Sequence, residues 1–360
     1  KGFTTGANSY GQLGQGHVED MRVPRLSDSS VLQNRAVRTL SGGGGHSVVI
    51  TESGELFVCG QNNKGQLGLG HNADTSAFQL CPILNQRVRS VSCGWDFSLL
   101  LTDCGQLLAC GSNAFGQLGV GEKIKQTADF LTLKEPVLSV AAGLRHSLVV
   151  CDSGSVYQWG TGLFSHAKRT LSPRPVPSYL CAKVPCLVPG KAQRTPHSVV
   201  AGSTHCVCLT GEGDLFMWGS NKHGQLTTSE PFLPSPTLLK PSLFNGEKVI
   251  SVWSGWTHVV AQTESGRVFT WGRGDYGQLG RRASINQKTE QHSADSVSEG
   301  GRLLSWGWNE HGMCGDGSQA DVYPPQLVPD LRPALIGCGA GHSMAVCAAA
   351  TGLRQTVDST

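Results

Sequence analysis

Short runs of apolar and β-branched residues alternate with polar, glycine-containing turns along nearly the whole chain. One example is the apolar run at residues 48–50, followed by a polar turn at 51–54 and a second apolar run at 56–59. Runs of this length between turn residues are typical of antiparallel strands joined as hairpins. The pattern therefore predicts an all-β chain.

The polar turns are repeated. A Gly-x-x-x-x-Gly-Gln-Leu element recurs at residues 6–14, 60–68, 111–119, 219–226 and 272–280, and looser copies begin at Gly160 and Gly307. The leading glycines lie 54, 51, 49, 59, 53 and 35 residues apart. Repetition at about fifty residues is typical of β-propellers, in which each repeat forms one blade.

Two further elements recur between these turns. The first is Gly-x-x-His, which ends at His46, His146, His205, His258 and His342, with Phe97 replacing histidine in a sixth copy. The second is a Thr-x-x-Gly turn, as at residues 51–54, 102–105 and 263–266. One repeat is then four strands separated by three turns, which predicts a four-stranded antiparallel blade.

The repeats predict a single seven-bladed β-propeller over residues 1–360. The first Gly-Gln-Leu element has no Gly-x-x-His element before it, and the last Gly-x-x-His element has no Gly-Gln-Leu element after it. We therefore expect both termini to share one blade and close the ring. The proline-containing segment 160–198 predicts an irregular surface excursion, and the polar stretch after Gly280 predicts that the blade around 281–315 is incomplete.

Composition narrows the functional classes. Glycine supplies 47 of 360 residues, about twice the usual share, which fits many tight turns. The net charge of +3 is too small for a typical nucleic-acid binder. No apolar run is long enough to cross a membrane. The 13 cysteines show no paired zinc-ligand spacing, and we interpret them as free thiols of an intracellular protein.

The recurring aromatic and histidine residues are interpreted as structural. Each histidine occupies the same point of a different blade, so the five do not converge on one site, and we expect each to bond the backbone of its own blade. Four tryptophans that precede glycine are expected to pack between blades: Trp159, Trp218, Trp271 and Trp306. No nucleophile, phosphate-binding or metal motif is present, so we expect no covalent chemistry, no cofactor and no metal.

Turn order predicts where a partner binds. In a four-stranded meander, the Gly-x-x-His and Gly-Gln-Leu turns emerge on the same face. Aromatic and charged residues in these turns are candidate anchors for a protein partner. They are Trp95, Asp96, Arg145, Trp256, Trp308, Glu310 and His311. The alternative is that these side chains only pack within their turns.

With these motifs the chain resembles the regulator-of-chromosome-condensation repeat family over nearly its full length. The clearest segments are Cys-Gly-Trp-Asp-Phe at 93–97, Trp-Gly-Ser-Asn-Lys-His-Gly-Gln-Leu at 218–226, Ser-Gly-Trp-Thr-His at 254–258 and the sequence at 306–317. The resemblance implies a seven-bladed propeller that acts as a guanine nucleotide exchange factor for a small GTPase in the control of protein secretion. It also implies an exocyst component as a partner, and a cytoplasmic and also nuclear location for a monomer.

Two alternatives remain open. The first is a non-catalytic scaffold that uses the same face to bind an exocyst-type partner without exchange activity. The second is a light-sensing propeller similar to the plant ultraviolet receptor, which needs tryptophans clustered on one face. Only Trp95 and Trp256 occupy the second position of the Gly-x-x-His element, which disfavours light sensing.

Overall fold

A computed structural model describes residues 1–27, 30–32, 35–82, 86–122, 126–131, 133–190, 194–281, 290–292 and 301–347. The strands form seven antiparallel sheets, each a meander of strands that are neighbours in the chain or that meet where the two termini pair. Six sheets have four strands and are called blades 1–6. The seventh has two strands and is called the short sheet.

The strands follow the repeat. The chain begins with β1 (Gly2–Gly6) and β2 (Met21–Leu26), which belong to blade 6. Blade 1 contains β3 (Val37–Gly42), β4 (His46–Thr51), β5 (Leu56–Gly60) and β6 (Thr75–Leu80). Blade 2 contains β7 (Val88–Cys93), β8 (Phe97–Thr102), β9 (Leu107–Ser112) and β10 (Gln126–Leu131). Blade 3 contains β11 (Val137–Ala142), β12 (Ser147–Cys151), β13 (Val156–Trp159) and β14 (Cys186–Val188).

The second half of the chain completes the ring. Blade 4 contains β15 (Pro196–Ala201), β16 (His205–Thr210), β17 (Leu215–Ser220) and β18 (Phe232–Leu238). Blade 5 contains β19 (Val249–Ser254), β20 (His258–Thr263), β21 (Val268–Gly272) and β22 (Glu290–His292). The short sheet contains β23 (Leu303–Gly307) and β24 (Val322–Val328). Blade 6 adds β25 (Pro333–Cys338) and β26 (His342–Cys347) to β1 and β2.

Three short helices connect strands. The α-helix α1 (Phe164–Leu171) and a 3-10 helix (Ser178–Leu180) lie between β13 and β14, within the predicted excursion at 160–198. A second 3-10 helix (Pro241–Phe244) joins blades 4 and 5. Prolines at 173, 175 and 177 separate the two helical turns of the excursion, since proline cannot donate a backbone hydrogen bond.

The prediction of seven blades is wrong in its count, because the described residues form six complete blades. In every complete blade, a Gly-x-x-His-type turn joins the first two strands. The chain from Gly280 to Gly307 contains no such turn. The seventh Gly-Gln-Leu-type element therefore joins β23 and β24 in a sheet that has no other strand among the described residues. Residues 282–289 and 293–300, which fall within the predicted incomplete blade, lie outside the described residues.

Both termini contribute to blade 6, which confirms the predicted ring closure. β1 pairs with β26 in antiparallel register from Gly2 opposite Val346 to Gly6 opposite His342. The amino group of Lys1 also donates to the carbonyl of Cys347 over 2.9 Å. The closing contact is thus the same backbone ladder that holds the other blades together.

The hydrophobic core is divided into layers between neighbouring blades. One layer joins blades 1 and 2, the next joins blades 2 and 3, and two more join blades 3 to 4 and 4 to 5. Trp159, Trp218 and Trp271 are fully buried in these layers, as the sequence predicted, whereas Trp306 of the short sheet is half-buried. A large aromatic ring fills the wedge-shaped space between two blades that a smaller side chain would leave open.

Glycine is required where the third strand of each blade meets its Gly-x-x-His turn. Gly60 has a φ of 107°, and a Cβ there would lie 2.4 Å from the carbonyl oxygen of Gly45. No other residue fits this approach. This contact holds the Gly-Gln-Leu turn against the Gly-x-x-His turn of the same blade.

Apolar side chains are exposed on the first strands of the two blades next to the short sheet. Trp253 and Ile250 of β19 are 52% and 53% exposed, and Ile336 of β25 is 54% exposed. These strands are the first strands of the blades on either side of the short sheet, which has no first or second strand among the described residues. The neighbouring blades therefore lack the surface that a complete blade would offer them.

The layered core predicts unequal effects for two tryptophans of blade 5. Trp271→Ala should lower the free energy of unfolding by about 3–5 kcal/mol, because it empties a fully buried wedge. Trp253→Ala, its matched control on the same blade, should change it far less because Trp253 is half exposed. Urea unfolding followed by fluorescence measures both. Equal losses for the two variants would contradict the layered core.

Candidate protein-binding face

The Gly-x-x-His and Gly-Gln-Leu turns share one face of the ring, called the upper face. Backbone hydrogen bonds join the two kinds of turn within each blade. Gln61 N–H donates to the Gly45 carbonyl over 2.8 Å, and Arg273 N–H donates to the Thr257 carbonyl over 2.9 Å. The upper face is thus a bonded set of turns rather than a group of independent loops.

Turns of neighbouring blades are bonded to each other around the central opening. Ala340 N–H donates to Gly43 over 3.0 Å, Gly44 N–H donates to Trp95 over 3.1 Å, and Ser203 N–H donates to Trp256 over 2.8 Å. The first strands of successive blades contact each other and line the ring axis. These turns therefore form a rim at the mouth of the axis.

Trp95 and Trp256 meet at this mouth. Their ring centroids are 5.9 Å apart with an interplanar angle of 67°, an edge-to-face arrangement. They come from blades 2 and 5, which are not neighbours in the ring, so their contact spans the opening. Trp95 is 44% exposed and Trp256 is half-buried. The pair is an accessible aromatic platform held at both ends by rim hydrogen bonds.

Charged residues lie beside the platform. Asp96 follows Trp95, and burial raises the pKa of its carboxyl, although Lys64 and Arg145 act in the opposite direction. The Arg145 guanidinium stacks over the Phe115 ring at 4.2 Å from its centroid. The structure thus brings Asp96 and Arg145 together, on the side of the mouth formed by blades 2 and 3.

A cleft of about 610 Å³ opens at the same side of the upper face. Lys64 borders this cleft as well as acting on Asp96. The cleft is also lined by Lys183, whose ammonium pairs with the Glu122 carboxylate at 2.8 Å. The cleft is polar and of mixed charge, and it widens the surface that a partner could contact next to the platform.

The remaining predicted residues form a separate group on the short sheet. Trp308 and His311 stack edge to face with centroids 5.7 Å apart, and His311 Nδ1 lies 2.9 Å from Asp20 Oδ2. The backbone carbonyl of Glu310 accepts from Gln319. Within the described part of the chain, no ring contact, hydrogen bond or ion pair joins this group to Trp95 or Trp256. The seven predicted residues therefore fall into two clusters.

The five repeat histidines are distributed around the ring, but their bonding differs from the sequence hypothesis. The expected bonds to the backbone of their own blades are wrong for three of them, whose Nε2 atoms reach a serine of the next blade. The pairs are His46 with Ser98 at 2.9 Å, His205 with Ser254 at 2.7 Å, and His342 with Ser47 at 2.7 Å. These histidines link neighbouring blades.

All five histidine rings lose solvation in the folded protein. Burial lowers the pKa of His46 and His205 to about 3, with smaller contributions from neighbouring histidines. Burial lowers the pKa of His146, His258 and His342 to about 4. The rings are therefore neutral at physiological pH and contribute no positive charge to the upper face.

The structure adds aromatic residues that the sequence analysis did not select. Tyr10 and Tyr276 are 40% and 39% exposed in their Gly-Gln-Leu turns. They occupy the position directly before the second glycine, which is also the position of Lys64, Phe115 and His311. Comparing that one position across the six turns that keep the second glycine would have identified them as variable, outward-facing residues.

The described residues also bear on two other features, a membrane-spanning helix and a metal site. No helix among them is long and apolar enough to cross a bilayer. No group of three or more histidine, cysteine, aspartate or glutamate side chains among them could hold a metal ion.

Comparison with known proteins gives one family. The model of the RCC1-like domain matches residues 1–345. The chain is 48% identical over 387 residues to the secretion-regulating guanine nucleotide exchange factor of Mus musculus, which covers 96% of this chain and 83% of that protein. It is 47% identical to the Bos taurus protein of the same name, over 96% of this chain and 82% of that protein.

A solved structure supports the architecture. Prp20p from Saccharomyces cerevisiae, described with its binding properties to Gsp1p and histones, matches with a TM-score of 0.80. The match covers 97% of this chain and 92% of that chain at 20% identity, which shows a shared fold.

The mouse alignment spans 387 residues, more than the 360 of this chain, so the mouse protein carries residues without a counterpart here.

The buried histidines predict a pH dependence of stability. Their pKa values are lowered in the folded state, so the unfolded chain binds more protons below its own histidine pKa of about 6.5. The free energy of unfolding should therefore have its full value above that pH and should fall as the pH drops from about 6.5 towards 4. Each histidine contributes at most about 1.4 kcal/mol per pH unit.

Urea unfolding at several pH values between 5 and 7 measures this slope. His146→Phe copies the phenylalanine found naturally at position 97. It should reduce the slope of the unfolding free energy against pH by the contribution of about one bound proton. A stability that does not change between these pH values would contradict the proposed burial of neutral histidines.

Proposed function

The chain belongs to the RCC1-like domain family, and from that membership we propose that it is a guanine nucleotide exchange factor for a small GTPase. The proposal places the GTPase on the upper face. Two relatives that are nearly half identical to this chain carry the name secretion-regulating guanine nucleotide exchange factor. Their names support a role in the control of protein secretion.

The upper face has properties suited to this activity. Nucleotide exchange breaks no covalent bond, so it requires no nucleophile and no metal on the exchange factor. It requires a rigid surface that binds the nucleotide-free GTPase more tightly than the nucleotide-bound form. Only this difference in affinity shifts the GTPase from its nucleotide-bound form towards its nucleotide-free form. A bonded rim of turns provides such rigidity.

The observation that carries the proposal is the Trp95–Trp256 platform. Binding energy in protein interfaces is concentrated in a few residues, with tryptophan and arginine enriched among them. Here two tryptophans from opposite sides of the ring meet in a T-shaped pair, beside Asp96 and Arg145. A side chain of the GTPase that packs on this pair would be surrounded by groups of both charges.

Location and further partners extend the proposal. We place the protein in the cytoplasm with access to the nucleus, as a monomer that binds the GTPase and an exocyst component. The secretion named for two relatives is the support for the exocyst component. The location and the monomeric state stay predictions from the family resemblance.

A second candidate is a scaffold that binds the same partners without accelerating exchange. The short sheet favours it, because among the described residues no Gly-x-x-His turn lies between blade 5 and blade 6. The rim therefore lacks one contributor. A partner that needs the complete rim to open its nucleotide site would bind without releasing nucleotide.

Release of a fluorescent GDP analogue from a panel of small GTPases tests the proposal. The protein should accelerate release from one member, and Trp256→Ala or Trp95→Ala should reduce the acceleration at least about tenfold, as loss of an interface hot spot does. Trp253→Ala is the matched control, since it removes a half-exposed tryptophan of β19 that is not part of the Trp95–Trp256 pair, and it should leave the acceleration unchanged.

The outcomes separate the two candidates. No acceleration of any member, together with binding of one that Trp256→Ala abolishes, would establish the scaffold. Acceleration that both platform variants retain in full would contradict the assignment of the upper face. Thermal unfolding of each variant checks that the fold is intact.

A further inference from the structure

The positive charge of the chain is concentrated in one segment. Residues 153–211 contain six lysine and arginine residues and no aspartate or glutamate. The whole chain has 29 basic and 26 acidic residues, so the remainder has three more acidic than basic residues. This segment contains the excursion of blade 3, which replaces a Gly-Gln-Leu turn.

The excursion is fixed to the ring. It begins on the upper face, where Thr161 N–H donates to the Phe115 carbonyl over 2.8 Å. Ala167 and Leu171 of α1 are buried in the layer between blades 3 and 4. Tyr179 is buried in the same layer, and its hydroxyl donates to the carbonyl of Pro234 on blade 4. A segment held in this way presents its outer side in a defined shape.

The outer side of the excursion contains a concave site, called the basic groove. It has a volume of about 330 Å³. Its walls combine apolar and positively charged side chains: Phe164, Lys168, Pro173, Arg174, Val176 and Cys181. The Lys168 ammonium lies 5.9 Å from the centroid of the Phe164 ring. A lining that combines apolar surface with cations can select both the shape and the charge of a ligand.

The positive charge at the groove is not offset by acidic groups in the part of the chain that the structure describes. Lys168, Arg169 and Arg174 are exposed, and no carboxylate among the described residues lies within ion-pair distance of them. Two other basic residues of the segment differ, since Lys183 pairs with Glu122 and Arg194 pairs with Asp214. The uncompensated charge is thus located at the groove itself, where it attracts anionic groups.

We propose that the basic groove is a docking site for a short acidic peptide segment of a partner protein, carrying one apolar side chain. The apolar side chain packs against Phe164, Pro173 and Val176. Carboxylates on either side of it pair with Lys168 and Arg174. The site is separate from the Trp95–Trp256 platform, and the proposal does not depend on exchange activity.

The shape of the site favours a peptide over an anionic membrane. A flat bilayer surface contacts protruding side chains, whereas the basic groove is concave and its lining includes Phe164, Pro173 and Pro175. A single inserted side chain can fill such a cavity. Charge complementarity then selects acidic residues around that side chain.

Fluorescence anisotropy with a labelled Asp-Glu-Asp-Phe-Asp-Glu-Asp peptide tests the proposal. The wild-type protein should bind this probe saturably, and rising salt should weaken the binding, because exposed charge pairs are screened. Lys168→Glu combined with Arg174→Glu should weaken binding at least about tenfold. Replacing the phenylalanine of the peptide by serine should weaken it as well, which a purely electrostatic contact would not show.

A matched control separates local from overall charge. Arg25→Glu combined with Lys134→Glu changes the net charge by the same amount at exposed positions elsewhere on the ring, and it should leave peptide binding unchanged. All four replaced side chains are exposed, so unfolding temperatures should match that of the wild type.

Three results would overturn the proposal. The first is no saturable binding of the peptide by the wild-type protein. The second is equal weakening by the groove variant and the control variant. The third is binding to vesicles of phosphatidylcholine and phosphatidylserine that the groove variant abolishes, with no binding of the peptide, which would assign the groove to a membrane surface.

Discussion

The ring depends on one repeated hydrogen bond, in which the glutamine of a Gly-Gln-Leu turn accepts from the next blade. The backbone carbonyl of Gln117 accepts from the Trp159 indole over 2.8 Å, and that of Gln225 accepts from Trp271 over 2.8 Å. In another blade the donor is a hydroxyl, since Ser98 Oγ–H donates to the backbone carbonyl of Gln66 over 2.9 Å. Blade 3 has no such turn, and the side chain of Gln158 accepts from Trp218 instead. Each of these four buried donors is thus satisfied by a neighbouring blade, and the bonds constrain the angle between the two blades.

This constraint connects stability with function. The glutamine carbonyl points into the layer between blades, while the residue two positions before it in the chain points outward. The same turn therefore anchors the ring and carries variable surface residues such as Tyr10, Lys64 and Tyr276. Loops positioned by a rigid scaffold are where binding residues concentrate. The platform and the basic groove are two uses of this arrangement, one at the mouth of the axis and one on an excursion that replaces a turn.

Sequence reasoning predicted what local patterns determine. Strands, turns and the shared blade of the termini follow from glycine positions and apolar runs. The blade count was wrong because the Gly-Gln-Leu element reports only the third and fourth strands of a repeat, and β23 and β24 possess it without the first two. The helix α1 was also not predicted, because the prolines that follow it dominated the interpretation of residues 160–198.

Contacts between blades were beyond the sequence pattern. His46 reaches Ser98, which lies 52 residues away, and no local pattern specifies a bond over that separation. The Trp95–Trp256 contact depends on which turns face each other across the axis, which the curvature of the whole ring decides. That no described carboxylate pairs with Lys168 or Arg174 is likewise a property of the folded surface. Candidate residues could be predicted by type, but their division into clusters could not.

The central claim is that the upper face is the surface that binds the GTPase. Hydrogen–deuterium exchange of this protein, with and without the nucleotide-free GTPase that responds to it, tests the claim most directly. If the GTPase binds there, hydrogen–deuterium exchange should slow in the turns at 94–97 and 255–258 on complex formation. Protection confined to the opposite face, in the Thr-x-x-Gly turns at 51–54, 102–105 and 263–266, would contradict it.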